Sequence, residues 1–184
     1  MDYLSKTLLK HNIWSRITFY TGVDLSEQAT QIGQQNVQSV LPNDAQCSFV
    51  IDDMLSFVNK AADASYDLVF ASISVHHLQD NDKERLLHEV RRILKPHGVF
   101  MVVDVFLQED EDRNNFMQDF VTYIRDSWIK LNTEEAERLV NHVLNFDFPT
   151  KLTMYERWAK QNSTYKDVKC LESLRFYRTI VLEV

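Results

Sequence analysis

The stretch Tyr66–Val105, YDLVFASISVHHLQDNDKERLLHEVRRILKPHGVFMVVDV, decides which fold class the sequence predicts. Its first part, Tyr66–Ile73, is rich in apolar and aromatic side chains and predicts a strand. Its last part, Val99–Val105, is apolar almost throughout, which is typical of a strand with both faces covered. A helical pattern lies between the two. A strand, a helix and a second strand in this order predict a parallel βαβ unit.

The helix inside this stretch carries its own start and stop signals. Apolar residues in Leu86–Leu94 recur at the three- and four-residue spacing of one helix face. Asn81 or Asp82 is predicted to cap its amino end. At the other end Pro96 halts the helix, and Gly98 is predicted to adopt the left-handed backbone conformation that leads into the next strand.

The segments before this unit repeat the same alternation of strand and helix. Ser26 is the expected N-cap of the first helix, and Glu27 suits its first turn because the helix dipole favours an acidic residue there. The elements predicted here are a helix end at residues 3–12, a strand Ile17–Val23, a helix to about Val40, a strand Cys47–Ile51 and a short helix Leu55–Ala62.

The segments after this unit break the alternation. Three helices are predicted in succession, at about 110–131, 133–145 and 151–161. Lys169–Leu174 and Phe176–Val184 then predict two strands joined too tightly for a parallel crossover, and therefore an antiparallel pair. The predicted fold class is α/β, with a mostly parallel sheet and a C-terminal antiparallel hairpin. Residues 1–184 are predicted to form one domain with a helical insertion at about 108–163.

Composition excludes several classes of protein. The sequence has no run of about 18 apolar residues, so no membrane span is predicted. The first residues lack the pattern of a secretory signal. The net charge of −7 disfavours nucleic acid as a partner. Cys47 and Cys170 lie far apart and outside any CxxC pairing, so they indicate neither a disulfide framework nor a zinc site. A cytoplasmic protein is expected.

Four motifs in sequence order resemble one known family. They are Gly22–Ser26 (GVDLS), Val50–Met54 (VIDDM), Tyr66–Ser72 followed by His76-His77-Leu78, and Arg92–Gly98 (RILKPHG). Together with the closing hairpin, this order is similar to class I S-adenosylmethionine-dependent methyltransferases, whose sheet is Rossmann-like. In the last motif His97 replaces one glycine of the family pattern. The resemblance implies methyl transfer from S-adenosylmethionine to a small-molecule acceptor.

The resemblance also implies a set of cofactor-binding residues at strand ends. Asp24, followed by Leu25, would hold the ribose hydroxyls, although a helix cap is an alternative role for Asp24. Asp53, followed by Met54, would face the adenine amino group, unless the register slips and Asp52 caps the next helix. Ser72 would contact the methionine moiety or simply turn the chain.

Residues outside these motifs give weaker signals. His76 and His77 are adjacent, and adjacent residues do not share one face of a helix or strand, so no metal site is predicted. A packed or hydrogen-bonded histidine is favoured over a general base, and no catalytic residue is identified. Aromatic side chains on the inserted helices could line a substrate cavity, but helical spacing favours plain core. They are Tyr123, Trp128, Tyr155 and Trp158.

The family's first strand and glycine-rich loop have no counterpart in this sequence. Its three glycines, Gly22, Gly33 and Gly98, form no GxGxG. Residues 3–12 resemble the helix that follows that loop, so the first strand is predicted to be absent and the chain N-terminally truncated. That absence would expose two strand edges or force them to pair, which invites a homodimer or a partner chain. It also predicts weak cofactor binding, because glycines let the backbone approach the cofactor closely.

Two other functions compete with methyl transfer, and catalysis by this chain is left open. A methyltransferase-like remnant could act as an interaction module without catalysis. A nicotinamide-dependent oxidoreductase would also use Asp24 on a ribose, but the absence of GxGxxG and the terminal antiparallel hairpin count against it.

Overall fold

The computed structural model describes residues 14–161 and 164–184. The chain divides into two compact units, Met1–Lys60 and Ala61–Val184, referred to as the N-terminal and C-terminal units. The predicted helix end at residues 3–12 lies outside the described residues. A single domain over residues 1–184 stays a prediction.

The N-terminal unit contains a parallel pair of strands. Its described elements are a 3₁₀ turn Trp14–Arg16, β1 Phe19–Asp24, α1 Glu27–Gln38, β2 Gln46–Ile51 and α2 Met54–Lys60. The register of β1 and β2 pairs Asp24 with Ile51, so both strands end at the same edge. Gly22 allows a close approach there, because a Cβ at this position would lie 2.3 Å from the Phe49 ring. The predicted alternation of strand and helix is confirmed in this unit.

The C-terminal unit is built on a mixed sheet. Its described elements are β3 Tyr66–Ser72, a 3₁₀ turn Val75–His77, α3 Asp80–Ile93, β4 Leu94–Leu107, α4 Arg113–Ser127, α5 Thr133–Phe146, β5 Thr150–Lys151, α6 Leu152–Lys160, β6 Asp167–Leu174 and β7 Tyr177–Glu183. The strand order is β3-β4-β7-β6, and β5 pairs with the end of β4. β3 and β5 run parallel to β4, whereas β7 runs antiparallel to both β4 and β6. The predicted α/β class and its terminal hairpin are therefore confirmed.

Two local predictions in this unit were wrong or incomplete. α3 begins at Asp80 with Gln79 at the N-cap, and the Gln79 side chain makes no capping hydrogen bond, so neither Asn81 nor Asp82 is the cap. Both aspartates Asp80 and Asp82 lie in the first turn, where the helix dipole favours them. The strand β5 was not predicted, because two residues are too few to show a period.

The core of the C-terminal unit lies on both faces of β4. The apolar stripe predicted for α3 is buried, with Leu86, Leu87, Val90 and Ile93 each at most 3% exposed. Helices α4 and α5 bury a second apolar cluster with β4. Its buried members are Val105, Leu107, Phe116, Met117, Phe120, Val121, Ile124, Val140 and Val143. Within residues 14–161 and 164–184, no helix is long and apolar enough to cross a membrane.

The turn at residues 95–98, in the first part of β4, differs from its prediction. His97 has a φ of +68°, whereas no described glycine has a positive φ. The left-handed residue is therefore His97, not Gly98. Gly98 is required for space, because a Cβ there would lie 2.9 Å from the Lys95 carbonyl oxygen. A left-handed backbone conformation is sterically unfavourable for histidine, and the family that the sequence resembles has a glycine at this position.

Replacing His97 with glycine is expected to raise the free energy of unfolding by about 0.5–1 kcal/mol. Relief of left-handed strain is worth about 1–2 kcal/mol, and the greater entropy of glycine in the unfolded chain offsets part of it. Urea denaturation would measure the difference. Gly98→Ala is the matched control and should lower stability through its contact with the Lys95 carbonyl. A less stable His97→Gly chain would contradict this account of the turn.

Candidate functional site

Asp24 ends β1 with a carboxylate that does not cap the helix after it. Its Oδ1 accepts a hydrogen bond from the Ser26 backbone N–H at 2.7 Å. The cap of α1 is Ser26, as predicted, because its hydroxyl accepts from the Ala29 N–H at 3.2 Å. Asp24 is exposed, and its Oδ2 has no hydrogen-bond partner among the described residues. The neighbouring Leu25 is 72% exposed.

Asp53 lies at the same edge of the β1–β2 pair and caps α2. Its Oδ1 accepts hydrogen bonds from the backbone N–H groups of Leu55 at 2.9 Å and Ser56 at 3.0 Å. The structure thus assigns the capping role to Asp53, whereas Asp52 was the predicted alternative. Asp52 instead pairs with Lys60 at 2.8 Å, and this hydrogen bond lowers the pKa of Asp52. The sequence-predicted residues Asp24, Leu25, Asp53 and Met54 all follow the ends of the paired strands.

Ser72 is the last residue of β3, in the C-terminal unit. Its side chain is exposed, and its register partner on β4 is Val103. The next residue, Ile73, has a φ of +48°, which is an unusual conformation for a β-branched side chain. This sharp change of direction carries the chain from β3 into the 3₁₀ turn that contains His76 and His77.

His76 is buried and held by the carboxylate of Asp104 on β4. The His76 Nδ1 lies 2.5 Å from Asp104 Oδ1, and the His76 backbone N–H donates to Asp104 Oδ2 at 3.0 Å. Oδ1 also accepts from the Val105 N–H at 2.8 Å. Asp104 is 1% exposed. The interpretation of a packed, hydrogen-bonded histidine is confirmed for His76.

A second buried carboxylate, that of Asp147, lies among three imidazoles. Its Oδ1 is 3.5 Å from His76 Nε2, 3.3 Å from His77 Nδ1 and 3.8 Å from His142 Nε2. None of these contacts has the geometry of a hydrogen bond, and Oδ1 is a buried oxygen without a hydrogen-bond partner. Interaction with this carboxylate raises the pKa of His77, against the opposing effect of burial.

The rings of the two adjacent histidines lie together. The His76 and His77 centroids are 4.1 Å apart, and the His77 and His142 centroids are 5.3 Å apart. His76, His77 and Asp147 could hold a metal ion, since each offers one ligand atom within 4.8 Å of the others. The prediction that adjacent histidines cannot share a site was wrong about their faces. It assumed regular helix or strand geometry, whereas these residues end a 3₁₀ turn.

Backbone hydrogen bonds fix the segment that carries Asp147. The Phe148 N–H donates to the His76 carbonyl at 2.7 Å, and the Arg113 guanidinium donates to the Asp147 carbonyl at 2.9 and 3.1 Å. The buried ammonium of Lys83 donates to the Phe148 carbonyl and, at 2.9 Å, to the Thr150 hydroxyl. Asp147 is therefore held through its own carbonyl and through the residue that follows it.

Three residues that contact these histidines were missed from the sequence. Asp104 did carry a signal, because it is the one acidic residue inside the apolar run Val99–Leu107. Asp147 and His142 carried none, since they lie about 65–70 residues after His76 and His77 in an ordinary helix and the loop after it. We refer to His76, His77, His142 and Asp147 as the histidine cluster.

The aromatic side chains of the inserted helices divide between core and surface. Tyr155 and Trp158 are fully packed core residues. Tyr123 is partly buried against the α4–α5 core, and Trp128 is 36% exposed at the end of α4. The favoured interpretation as core is confirmed for Tyr155 and Trp158.

Comparison with known proteins identifies a family for the first half of the chain. Residues 7–98, half of the chain, match the family model described as a methyltransferase domain. The chain is 28% identical over 95 residues to the sterol 4-C-methyltransferase strm-1 of Caenorhabditis elegans, a match that covers 52% of this chain and 27% of that protein. The chain thus spans about a quarter of this relative's length.

Solved structures show the same fold. An O-methyltransferase family protein from Burkholderia thailandensis superposes with a TM-score of 0.63 at 13% identity, over 98% of this chain and 47% of that one. An O-methyltransferase family 2 protein from Planctomyces limnophilus, in complex with apigenin, gives 0.62 at 16% identity, over 98% and 46%. The predicted Rossmann-like sheet is confirmed.

Proposed function

The chain belongs to the methyltransferase-domain family, and we propose that it serves methyl transfer from S-adenosylmethionine to a small-molecule acceptor. S-adenosylmethionine supplies an electrophilic methyl group, so the protein's contribution is chiefly to position the two reactants. The adenosine half of the cofactor comes first, because the described residues offer suitable hydrogen-bond acceptors for it.

The observation that carries the proposal is the partly unused carboxylate of Asp24. In open α/β sheets ligands bind beyond the carboxyl ends of the strands, and Asp24 occupies such an end. Ser26 performs the capping role, so Asp24 keeps one oxygen, Oδ2, for a ligand. A carboxylate oxygen there can accept hydrogen bonds from the vicinal hydroxyls of a ribose. This fit favours a nucleoside over the alternative role as a helix cap.

The residues around Asp24 suit the rest of an adenosine. Leu25 is exposed beside it and offers an apolar surface for a base. Asp53 uses Oδ1 to cap α2, and its Oδ2 has no hydrogen-bond partner among the described residues. We assign Oδ2 of Asp53 to the adenine amino group, with Met54 next to it. Ser72 lies in the C-terminal unit, and its contact with the methionine moiety stays a prediction from the sequence.

Two relatives support the proposed acceptor class. One relative is named for a sterol, and one structural neighbour is bound to apigenin. Both are small molecules, which supports a small-molecule acceptor with a nucleophilic carbon or oxygen. The sterol and apigenin belong to those proteins, and the chain spans less than half of either.

An amide-resolved NMR titration with S-adenosylhomocysteine tests the proposal. The chain has no glycine-rich loop sequence, so we expect weak binding, with a Kd of about 1 mM, equivalent to about −4 kcal/mol. Shifts should concentrate at Asp24–Ser26 and Asp52–Met54. Asp24→Asn should weaken binding at least about tenfold, because a hydrogen bond to a charged group contributes about 1.5–3 kcal/mol.

Two controls make this titration decisive. Asp44→Asn changes an exposed carboxylate in the loop before β2 and should leave the affinity unchanged. A nicotinamide dinucleotide should bind less well than S-adenosylhomocysteine if methyl transfer is the function. Equal affinity of wild type and Asp24→Asn would refute the ribose assignment. Micromolar binding would refute the expected weakness.

A further inference from the structure

We propose that His76, His77 and Asp147, three members of the histidine cluster, bind a zinc ion. No part of this inference rests on methyl transfer, and it reverses the prediction of no metal site. The three central residues offer ligand atoms that all lie within 4.8 Å of one another. They come from the turn after β3 and the loop after α5.

The distances from Asp147 Oδ1 to the neighbouring imidazole nitrogens fit tetrahedral metal coordination better than hydrogen bonding. Zinc–nitrogen and zinc–oxygen distances of about 2.0–2.2 Å place neighbouring ligand atoms of a tetrahedron about 3.3–3.5 Å apart. His76 Nε2 lies 3.5 Å and His77 Nδ1 lies 3.3 Å from Asp147 Oδ1. A neutral N–H···O hydrogen bond would bring them to about 2.9 Å. His77 Nδ1 also lies 3.2 Å from the Phe146 carbonyl oxygen, a contact that it would exchange for the metal. Asp147 Oδ1 makes no hydrogen bond, although the Asp147 residue is only 4% exposed.

Asp104 supplies the outer partner that a histidine ligand requires. Metal-bound histidines donate their second ring N–H to a carboxylate or carbonyl, which fixes the ring and its tautomer. With Nδ1 of His76 donating to Asp104, its Nε2 is the unprotonated nitrogen, and Nε2 is the atom that faces Asp147. Asp104 and His76 therefore form the carboxylate and histidine parts of a carboxylate–histidine–metal triad.

Charge and anchoring favour the same conclusion. Asp104 and Asp147 are two buried carboxylates that each contact His76, and burying uncompensated charge is costly. A divalent cation between the rings would compensate that charge. The Phe148 N–H bonds the His76 carbonyl and the Arg113 guanidinium bonds the Asp147 carbonyl, so backbone contacts hold the ligands without using their side chains.

The donor set selects the type of metal. Two imidazoles and one carboxylate are typical ligands of zinc and related transition metals, whereas calcium and magnesium prefer oxygen donors alone. Three protein ligands leave the fourth position of a zinc ion to water. Zinc would join the loop after α5, through Asp147, to the turn after β3.

Zinc titration of the untagged, chelator-treated full chain tests the proposal, with calorimetry for stoichiometry and thermal denaturation for stability. We expect one zinc per chain, a Kd at or below about 1 μM, equivalent to about −8 kcal/mol, and a higher Tm in zinc. Asp147→Asn and His77→Gln should each weaken binding at least about 100-fold, since even an outer partner is worth about 10–100-fold. Cobalt bound in place of zinc should give the intense visible absorption of tetrahedral coordination.

Two variants separate coordination from folding. His77→Gln changes a side chain that is 40% exposed, so it should fold normally and still weaken zinc binding. His97→Asn changes an exposed histidine outside the cluster and should bind zinc like the wild type. Absence of binding at 100 μM zinc, or equal affinity in wild type, His77→Gln and Asp147→Asn, would overturn the proposal. Failure of the S-adenosylhomocysteine titration would leave these readouts unaffected.

Discussion

Replacing Asp104 with alanine is expected to lower the free energy of unfolding by about 3–5 kcal/mol. Asp104 accepts from the backbone N–H groups of His76 and Val105 and from the His76 ring. Alanine would leave these buried donors without partners, and each such group costs about 1–3 kcal/mol. The sum is not fully additive, which limits the total to the range given.

Denaturant unfolding monitored by circular dichroism, with chelator present throughout, measures this change without any contribution from bound metal. Asp119→Ala is a suitable control, because Asp119 is exposed in α4 and should change stability by less than about 0.5 kcal/mol. A loss below about 1 kcal/mol for Asp104→Ala would mean that water replaces the carboxylate, and that Asp104 does not hold His76 in place.

Lys83→Met should lower the free energy of unfolding by about 2–4 kcal/mol. The Lys83 side chain is 1% exposed, and its ammonium binds the Phe148 carbonyl and the Thr150 hydroxyl. Methionine fills the space but donates no hydrogen bond, so two buried acceptors lose their partner. The same substitution should loosen the segment that places Asp147, and zinc affinity should fall with stability.

The dependence of this effect on pH gives a second readout. Burial lowers the pKa of Lys83 below its usual 10.5, against the attraction of Asp80. Between the two pKa values the unfolded chain binds more protons than the folded chain, so stability rises with pH. Wild type should therefore gain stability relative to Lys83→Met as the pH approaches 10.5. Lys130→Met, at an exposed site, should show neither the loss nor this trend.

The fold was predictable where local patterns and chain order agree. The apolar stripe of α3 and the largely apolar run of β4 predicted the βαβ unit, and the structure buries both. Ser26 was identified as a cap because capping depends on residues only three positions apart. The tight connection at Arg175-Phe176 gave the antiparallel hairpin, since so short a link leaves no other pairing.

The candidate site was only half predictable. Asp24 and Asp53 follow strand ends that sequence reasoning could locate, so their shared edge was foreseeable. The capping role of Asp53 was not, because Asp52 and Asp53 are adjacent carboxylates and only backbone geometry chooses between them. The same limit applies to His97, since the left-handed position could be moved by one residue without changing the pattern.

The sequence by itself determined the α/β class, the order of the elements and the family, because those depend on periodicity and on short motifs. Only the tertiary structure brought Asp147 and His142 against His76 and His77. These contacts depend on how the end of α5 packs against the turn after β3. They also depend on hydrogen bonds such as that of Lys83 to the Phe148 carbonyl, which joins residues 65 positions apart. Contacts across such separations leave no local signal, whereas strands, helices and caps do.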